Sequence, residues 1–333
     1  MKKIILVGCE KTKRTAYFLK AAGELQIPVS FVDIFQCVPE KLEESVVKID
    51  PFVYQEAEIG QMEALLAGYT SLLNRFASNK KLQFLNHPDA IWEVLHKAKC
   101  KEKLMKKGVP VTKMIGTNVG CWEELKQRML TLKEYAVFIK PVQSSGAAGI
   151  MAYRFLPKGN REVLYTCACL EKGQLINTKK VYRTENKEEI RSLLDRILSM
   201  ETIIERWYPK ADYQGKKYDL RVVWQLGKVD FVVARQSQGP ITNLHLNNQA
   251  LPIGRLKLSE KKLEEIAVLC SKAMKLFPAL SYAGIDIMLE KSNLRPLIIE
   301  INGQGDLMYQ DIFYENRIYK NQLLHMVHLA QKH

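Results

Sequence analysis

The stretch Leu280–Asp306, LSYAGIDIMLEKSNLRPLIIEINGQGD, carries the clearest pattern in the chain for predicting the fold. It reads as two apolar strands, 284–289 and 296–301, joined by a polar turn. Three oxygen-bearing side chains interrupt the apolar pattern: Asp286, Glu300 and Asn302. Glu300 and Asn302 point to the same face because they are two residues apart, and antiparallel pairing can bring Asp286 onto that face. Two carboxylates and an amide oxygen suit a hard cation such as Mg²⁺, whereas Asp286 alone would favour an isolated acid on a hairpin.

The composition places the chain among ordinary soluble proteins. Its 333 residues predict two or three domains, and 47% hydrophobic with 26% charged residues is typical of globular chains. No apolar run approaches about 20 residues, so no membrane-spanning helix is predicted. The apolar run after the first two lysines is too short for a signal peptide and predicts a buried strand. The seven cysteines lack metal-ligand spacing, which favours reduced thiols in a cytoplasm.

The net charge favours an anionic partner. Fifty basic residues outnumber 36 acidic ones, giving +14. Nucleotide phosphates, a carboxylate-rich substrate and RNA all fit this charge. The lysine runs at 97–107 and 257–262 fit a solvated helix face at least as well as nucleic acid, so nucleic acid is not favoured and charge alone decides nothing.

The first 50 residues indicate an α/β unit. Strands are predicted at Ile4–Val7 and Val29–Asp33, with a helix from about Thr12 to Leu25 between them, as at the start of an open, doubly wound domain. No GxGxxG or P-loop pattern is present. The turn Asn86-His87-Pro88 marks a boundary, and one lysine-rich helix is expected from about residue 89 to 107.

Further motifs follow in order along the chain. The strand 136–141 contains Lys140 and leads into QSSGAAG, whose small residues would let backbone N–H groups surround phosphates; a plain hairpin turn is the alternative. The strand 202–208 can offer its backbone to an adenine edge, with Trp207 either covering the base or lying in the core. Asp219 and Arg221 share one face of the strand 217–224. A helix capped by Ser259 leads back to the two acidic strands, and an aromatic-rich helix from about 312 to 331 ends the chain.

This succession of motifs over roughly residues 86–306 resembles the ATP-grasp superfamily, in particular its RimK-like branch of carboxylate–amine/thiol ligases. The resemblance implies an α/β (α+β ATP-grasp) fold in three parts. Residues 1–86 would form an open α/β pre-ATP-grasp domain, 87–200 the small subdomain with the glycine-rich loop, and 201–333 the C-terminal subdomain with the Mg²⁺ site. ATP would lie between the two subdomains.

The resemblance also implies roles for individual residues. The ATP-binding residues would be Lys97 (or Lys99, since the register in this helix is open), Lys140, Ser144, Ser145, Gly146, Glu205, Arg206, Trp207 and Asp219. The residues facing the transferred phosphate or the substrate would be Arg221, Arg235 and Asn243. The metal ligands would be Asp286, Glu300 and Asn302, with Glu300 bridging two Mg²⁺ ions, for which Mn²⁺ could substitute.

The activity implied is that of an ATP-dependent ligase. It would convert a carboxylate of a small metabolite or peptide into an acyl phosphate, release ADP and phosphate, and join the acyl group to an amine. A ribosomal-peptide maturation ligase that forms side-chain esters or amides is the alternative within enzymes, and a non-catalytic nucleotide-binding module with a basic partner surface is the alternative outside them. The chain departs from the branch after EIN, where it has GQGDLMY and an aromatic tail, 309–319, so the acceptor stays open, as does homo-oligomerisation.

Overall fold

Three β-sheets, each packed against helices, make up the molecule. The computed structural model describes residues 2–51, 59–144, 147–242 and 248–332. The mixture of helices and sheets expected from the sequence is confirmed.

The first sheet is parallel and has the strand order β2-β1-β3-β4. Its strands are β1 Lys3–Gly8, β2 Ser30–Asp33, β3 Ser45–Ile49 and β4 Leu82–Phe84, and its helices are α1 Lys13–Glu24 and α2 Ile59–Ser78. Alternate residues of β1 point to opposite faces. Ile4 and Leu6 pack with Phe18 of α1, whereas Ile5 and Val7 belong to the core that contains Phe76 of α2. The predicted α/β unit is therefore confirmed, and β3 is an additional strand that the sequence analysis did not identify.

Two short helices lead from the first sheet to the second. They are α3 Pro88–Leu95 and α4 Lys97–Lys106. The prediction of one continuous helix from 89 to 107 is wrong because His96 has non-helical torsions (φ −83°, ψ 89°). Its Nδ1 accepts a hydrogen bond from the backbone N–H of Lys99 at 3.4 Å and so caps the start of α4.

The second sheet is antiparallel and six-stranded, in the order β5-β10-β6-β7-β8-β9. Its strands are β5 Met114–Thr117, β6 Ala136–Pro141, β7 Met151–Leu156, β8 Arg161–Glu171, β9 Gln174–Thr184 and β10 Thr202–Arg206. Two helices, α5 Trp122–Leu132 and α6 Lys187–Leu198, cover one face, where Met129 and Leu194 pack with Ile139 and Ile204. The other face borders the cleft described below.

The third sheet is also antiparallel, with the order β14-β13-β12-β15-β16 and β11 paired to β12. Its strands are β11 Asp212–Tyr213, β12 Lys216–Gln225, β13 Lys228–Ser237, β14 Gln249–Pro252, β15 Tyr282–Leu289 and β16 Pro296–Asn302. Helix α7, Glu260–Met274, packs against it through Ile266 and Cys270. The predicted cap is confirmed, since the Ser259 hydroxyl accepts from the N–H of Lys262 at 3.3 Å.

The C-terminal segment returns to the first sheet. It contains α8 Tyr309–Ile312 and α9 Arg317–Gln331, and α9 packs with α1 through Tyr319, Leu323 and Met326. One helix from 312 to 331 was expected. The segment instead breaks at Asn316, whose φ of 51° lies in the left-handed region.

The second and third sheets face each other across a cleft of about 610 Å³ that is open to solvent. Strand β10 pairs with β5 and β6 of the second sheet, although it lies beyond residue 200, the expected end of the small subdomain. The limits of the three parts stay a prediction. Within the described ranges, no helix has both the length and the apolar character needed to cross a membrane.

Candidate functional site

Strands β15 and β16 bring the three expected metal ligands to one place. Asp286 lies opposite Glu300, and Gly284 lies opposite Asn302, in the antiparallel register. A bulge between Asp286 and Ile287 follows this pairing. The amide nitrogen of Asn302 donates to Glu300 Oε1 at 3.3 Å. The amide oxygen of Asn302 therefore points away from this carboxylate and is available as a ligand.

The two carboxylates differ in their electrostatic surroundings. Burial disfavours the charged form of Glu300, but attraction by Lys97, Lys140 and Arg221 dominates and lowers its pKa to about 2. Burial raises the pKa of Asp286, although Arg221 and Arg235 oppose this shift. Glu300 is therefore ionised at neutral pH and lies among cations.

Two arginines hold Asp286. Its Oδ1 lies 3.0 Å from Arg221 Nε, and its Oδ2 lies 3.1 Å from Arg235 Nη2. Arg235 also contacts Asp219, with Nε 2.7 Å from Oδ1, and this pair of acids raises the pKa of Arg235 in spite of burial. Asp219 accepts further hydrogen bonds from Lys210, at 3.3 Å, and from Thr242. Asn243, the expected loop residue, lies outside the described part of the chain.

The lysine-rich helix α4 places Lys97, and not Lys99, close to Glu300 and Lys140. The Lys97 ammonium donates to the backbone oxygen of Ser144 at 2.9 Å and to its hydroxyl at 3.1 Å, at the start of the glycine-rich loop. Lys99 is exposed and lies 4.3 Å above the ring of Trp92. Ser145 and Gly146 lie outside the described residues.

Lys140 belongs to a buried charged group that the sequence analysis only partly identified. Its ammonium donates to Glu205 Oε2 at 3.1 Å. Lys101 and Thr112 also contact Glu205, and neither was among the expected residues. The spacing of four residues places Lys97 and Lys101 on one helix face, but Lys99 and Lys103 have the same spacing, so the sequence does not single out Lys101. Lys210, which contacts Asp219, was likewise missed.

The segment 202–208, which was expected to border the adenine, has side chains in two different environments. Arg206 lines the cleft, and its Nε lies 3.3 Å from Glu134. Trp207 is not among the cleft-lining residues; its ring packs against Phe138 at 5.5 Å and under the guanidinium of Arg154 at 4.6 Å. Apolar side chains line this end of the cleft: Phe138, Ile150, Tyr208, Met288 and Ile299. They form a surface that can cover a planar base.

Glycines allow the turn after β16 to approach Arg221. A Cβ on Gly284 would lie 2.5 Å from Arg221 Nη1, 2.7 Å from the Cα of Gly305, and in conflict with the Gly305 oxygen. Side-chain-free positions are therefore required where these backbones meet. Arg221 Nη1 is buried and makes no hydrogen bond to any described residue, so it remains available to a ligand.

The donor set fits Mg²⁺ held together with a polyphosphate. Across the described residues there is no group of three or more His, Cys, Asp or Glu side chains arranged to hold a metal alone. One or two carboxylates that share Mg²⁺ with phosphate oxygens is the usual arrangement for this ion. Six cations surround four carboxylates here: Lys97, Lys101, Lys140, Lys210, Arg221 and Arg235 around Glu205, Asp219, Asp286 and Glu300. Their excess positive charge favours an anionic ligand.

Comparisons with known proteins agree on one family. The model of the YheC/D-like ATP-grasp family matches residues 83–331. A comparison with curated proteins gives no match.

Solved structures of ATP-grasp ligases align over nearly the whole chain. D-cycloserine synthetase DcsG has a TM-score of 0.65 at 11% identity, covering 98% of this chain and 99% of that chain. Macrocyclase MdnC from Microcystis aeruginosa MRC, bound with precursor peptide MdnA, has 0.61 at 15%, covering 98% and 99%. Ligase PsnB in complex with a minimal precursor, Mg and ADP has 0.59 at 14%, covering 99% and 98%. At these identities the likeness shows the fold, and the expected ATP-grasp fold is confirmed.

Proposed function

Because this chain belongs to the YheC/D-like ATP-grasp family and is an ATP-dependent ligase, we propose that it activates a carboxylate as an acyl phosphate. ADP and phosphate would be the products, and an amine would capture the acyl group. The non-catalytic alternative considered from the sequence is set aside, because family members are ligases.

The observation that carries the proposal is the placement of Glu300 beside Lys97 and Lys140. An ionised carboxylate next to two lysines, in the lining of a cleft that also carries apolar side chains, suits the Mg²⁺-bound phosphates of ATP. Phosphoryl transfer requires charge neutralisation and alignment more than covalent help from the protein. Lys97, Lys140 and Arg235 would neutralise the phosphates, and Asp286, Glu300 and Asn302 would hold Mg²⁺, which supplies further neutralisation when bound.

Arg221 is proposed to bind the carboxylate that is activated. Its Nε is engaged by Asp286, whereas Nη1 is unpaired among the described residues and borders Gly284 and Gly305. A guanidinium can hold a carboxylate in two-point geometry. The substrate carboxylate would then lie between Arg221 and the γ-phosphate of ATP. One carboxylate oxygen would attack the γ-phosphorus, and ADP would leave as the bond to the γ-phosphate breaks.

A peptide substrate, as in a maturation ligase that forms side-chain esters or amides, is the second candidate. The surface after the turn at residues 303–306 favours it. Tyr309 and Phe313 stack at 5.3 Å, are 40% and 46% exposed, and lie beneath the ammonium of Lys13. Neither ring is among the residues that line the cleft, and the exposed pair would offer a peptide a contact outside it. The neighbours MdnC and PsnB are bound to precursor peptides, which supports the same candidate.

We also propose a cytoplasmic location and a three-part organisation of the chain. Cys37, Cys100, Cys167 and Cys270 are buried free thiols, which fits a cytoplasmic protein. The three parts are proposed as a pre-ATP-grasp domain, 1–86, a small subdomain, 87–200, and a C-terminal subdomain, 201–333, whose strand β10 pairs into the sheet of the small subdomain. Two Mg²⁺ ions, replaceable by Mn²⁺, are proposed for the cleft.

ADP release tests the proposal. The purified protein would be incubated with ATP, Mg²⁺ and pooled amino acids, peptides or carboxylic acids, with hydroxylamine added in parallel to trap an acyl phosphate as a hydroxamate. We expect ADP release that depends on one pool, and hydroxamate formation. AMP release, or ADP release without hydroxamate in the presence of an active carboxylate, would contradict the acyl-phosphate route.

A further inference from the structure

Lys101 is a buried lysine in the middle of α4, one turn after Lys97. It is 3% exposed and its neighbours Ala98, Cys100 and Leu104 are buried too. Its ammonium lies 2.6 Å from Glu205 Oε1 and donates to the Thr112 hydroxyl at 2.5 Å. A lysine is almost never buried this deeply unless it is paired, so the contact with Glu205 accounts for its position.

Glu205 is shared between two lysines, and the sharing is unequal. Oε1 faces Lys101 at 2.6 Å, whereas Oε2 accepts from Thr112 at 2.8 Å and from Lys140 at 3.1 Å. Because attraction falls with distance, Lys101 is the stronger partner of the carboxylate. Burial opposes ionisation of Glu205, yet Lys101 first and Lys140 second lower its pKa below the usual range.

The unequal sharing matters when a phosphate enters the cleft. Lys140 lines the cleft and donates to Glu205. To bind the phosphate, its ammonium would have to weaken that hydrogen bond and donate to a phosphate oxygen. With Lys140 as its sole cation, Glu205 would then be a buried carboxylate without a partner, which is strongly unfavourable. Lys101 faces Glu205 from the other oxygen and stays in place, so the carboxylate remains neutralised.

On the basis of the proposed nucleotide site, we propose that Lys101 is a positioning residue that pairs with Glu205 so that the charge of Lys140 is available to the nucleotide phosphates. The three side chains together carry one net positive charge. Without Lys101, Glu205 and Lys140 would form a neutral pair that a phosphate must disrupt. Lys101 acts through Glu205 and does not touch the nucleotide.

This role predicts an effect that depends on phosphate. The readout is the ratio of ATP affinity to adenosine affinity, each measured in Mg²⁺ by competition with a fluorescent ATP analogue. Lys101→Met should lower that ratio about tenfold, the size expected for losing one charge-assisted interaction. Lys106→Met removes an exposed lysine of the same helix and should leave the ratio unchanged.

A double variant shows whether Lys101 acts through Glu205. In a Glu205→Gln background, Lys101→Met should leave the ratio unchanged, because no carboxylate remains to capture Lys140. If Lys101→Met alone does not fold, the comparison of Glu205→Gln with the double variant still decides the matter, since neither holds an unpaired buried carboxylate. A lower ratio in the double variant would overturn the proposal.

Two further outcomes distinguish a failure of the role proposed for Lys101 from a failure of the proposed function. Equal losses of ATP and adenosine affinity in Lys101→Met would show that Lys101 only shapes the base pocket through Thr112, and would overturn the proposal. A wild-type protein that bound no ATP would contradict the proposed function itself.

Discussion

Glu300 and Asp286 face each other across paired strands but are suited to different tasks. Glu300 lies near Lys97 and Lys140, and its pKa of about 2 keeps it ionised. Asp286 lies between Arg221 and Arg235, but its Oδ1, although 3.0 Å from Arg221 Nε, accepts no hydrogen bond from any described residue. We therefore expect Glu300 to be the principal carboxylate ligand of a cation, while Asp286 orients the two arginines and offers its unsatisfied Oδ1.

Replacing Glu300 tests this assignment. Glu300→Gln keeps the shape of the side chain and removes its charge, so Mg²⁺-dependent ATP turnover should fall by at least about 100-fold, as for the loss of one preorganised electrostatic partner. The circular dichroism spectrum should not change. Glu264→Gln, on the exposed face of α7, is the matched control and should retain full turnover. Retained turnover in Glu300→Gln would show that this residue does not bind the metal.

Some site residues could be predicted from the sequence and others could not. Asp286, Glu300 and Asn302 were visible because polar residues interrupt strands that are otherwise apolar. Lys101 and Lys210 were not, because a lysine among many lysines gives no sign of burial. Glu205 is distant from Lys101 in sequence, and the two become neighbours only on folding. Asp219 is nine residues from Lys210, but no periodic pattern links the two.

At the scale of elements, the hairpin β15–β16 and the turn after it form one unit with β12. Arg221 pairs with Asp286 across β12 and β15 in register, and Gly305 returns to contact Gly284. A short side chain at either glycine would displace the turn or the guanidinium. The AGID and GQGD motifs therefore serve the same close contact.

A methyl group at Gly284 tests this contact. Gly284→Ala should lower the free energy of unfolding by about 1–3 kcal/mol, as overpacking of a filled site does. Gly68→Ala is the control: it lies in the exposed middle of α2 with no atom within 4 Å of a new Cβ, and should raise stability by about 0.5–1 kcal/mol. Urea denaturation measures both. A Gly284→Ala protein as stable as the wild type would show that the contact is loose.

The elements themselves were predictable where hydrophobic periodicity was regular. Strands β6 and β15–β16 and helix α7 follow such patterns and were expected at nearly their observed limits. Strand β3 was missed because Lys48 interrupts SVVKI with a charge that is in fact fully buried. The breaks at His96 and Asn316 depend on local torsions and capping contacts, which periodicity does not report.

At the scale of the whole molecule, buried charges connect the first sheet to the turn that follows the metal strands. Asp306 is fully buried and contacts Arg14 of α1, Lys48 of β3 at 3.0 Å, and Gln322 of α9 at 3.2 Å. Burial lowers the pKa of Lys48 to about 8 against the attraction of Asp50. Contacts from α1, β3 and α9 therefore hold Asp306, which directly follows the Gly305 that lies against Arg221.

Removing the charge of Asp306 should destabilise the protein as a whole. Asp306→Asn leaves Arg14 and Lys48 with one fewer buried partner, so the free energy of unfolding should fall by about 3 kcal/mol or more. Glu43→Gln breaks a pair with Lys3 in which both side chains are exposed, and should change stability by less than about 1 kcal/mol. Thermal and urea denaturation give both values. Equal effects of the two substitutions would contradict a joint buried cluster.

The most direct measurement for the account is a crystal structure with a non-hydrolysable ATP analogue and Mn²⁺, whose anomalous signal locates the metal. We expect Mn²⁺ within about 2.5 Å of Glu300 and Asn302 oxygens, with the phosphates beside Lys97 and Lys140. A nucleotide bound elsewhere, or Mn²⁺ peaks away from Glu300, would contradict the proposed site.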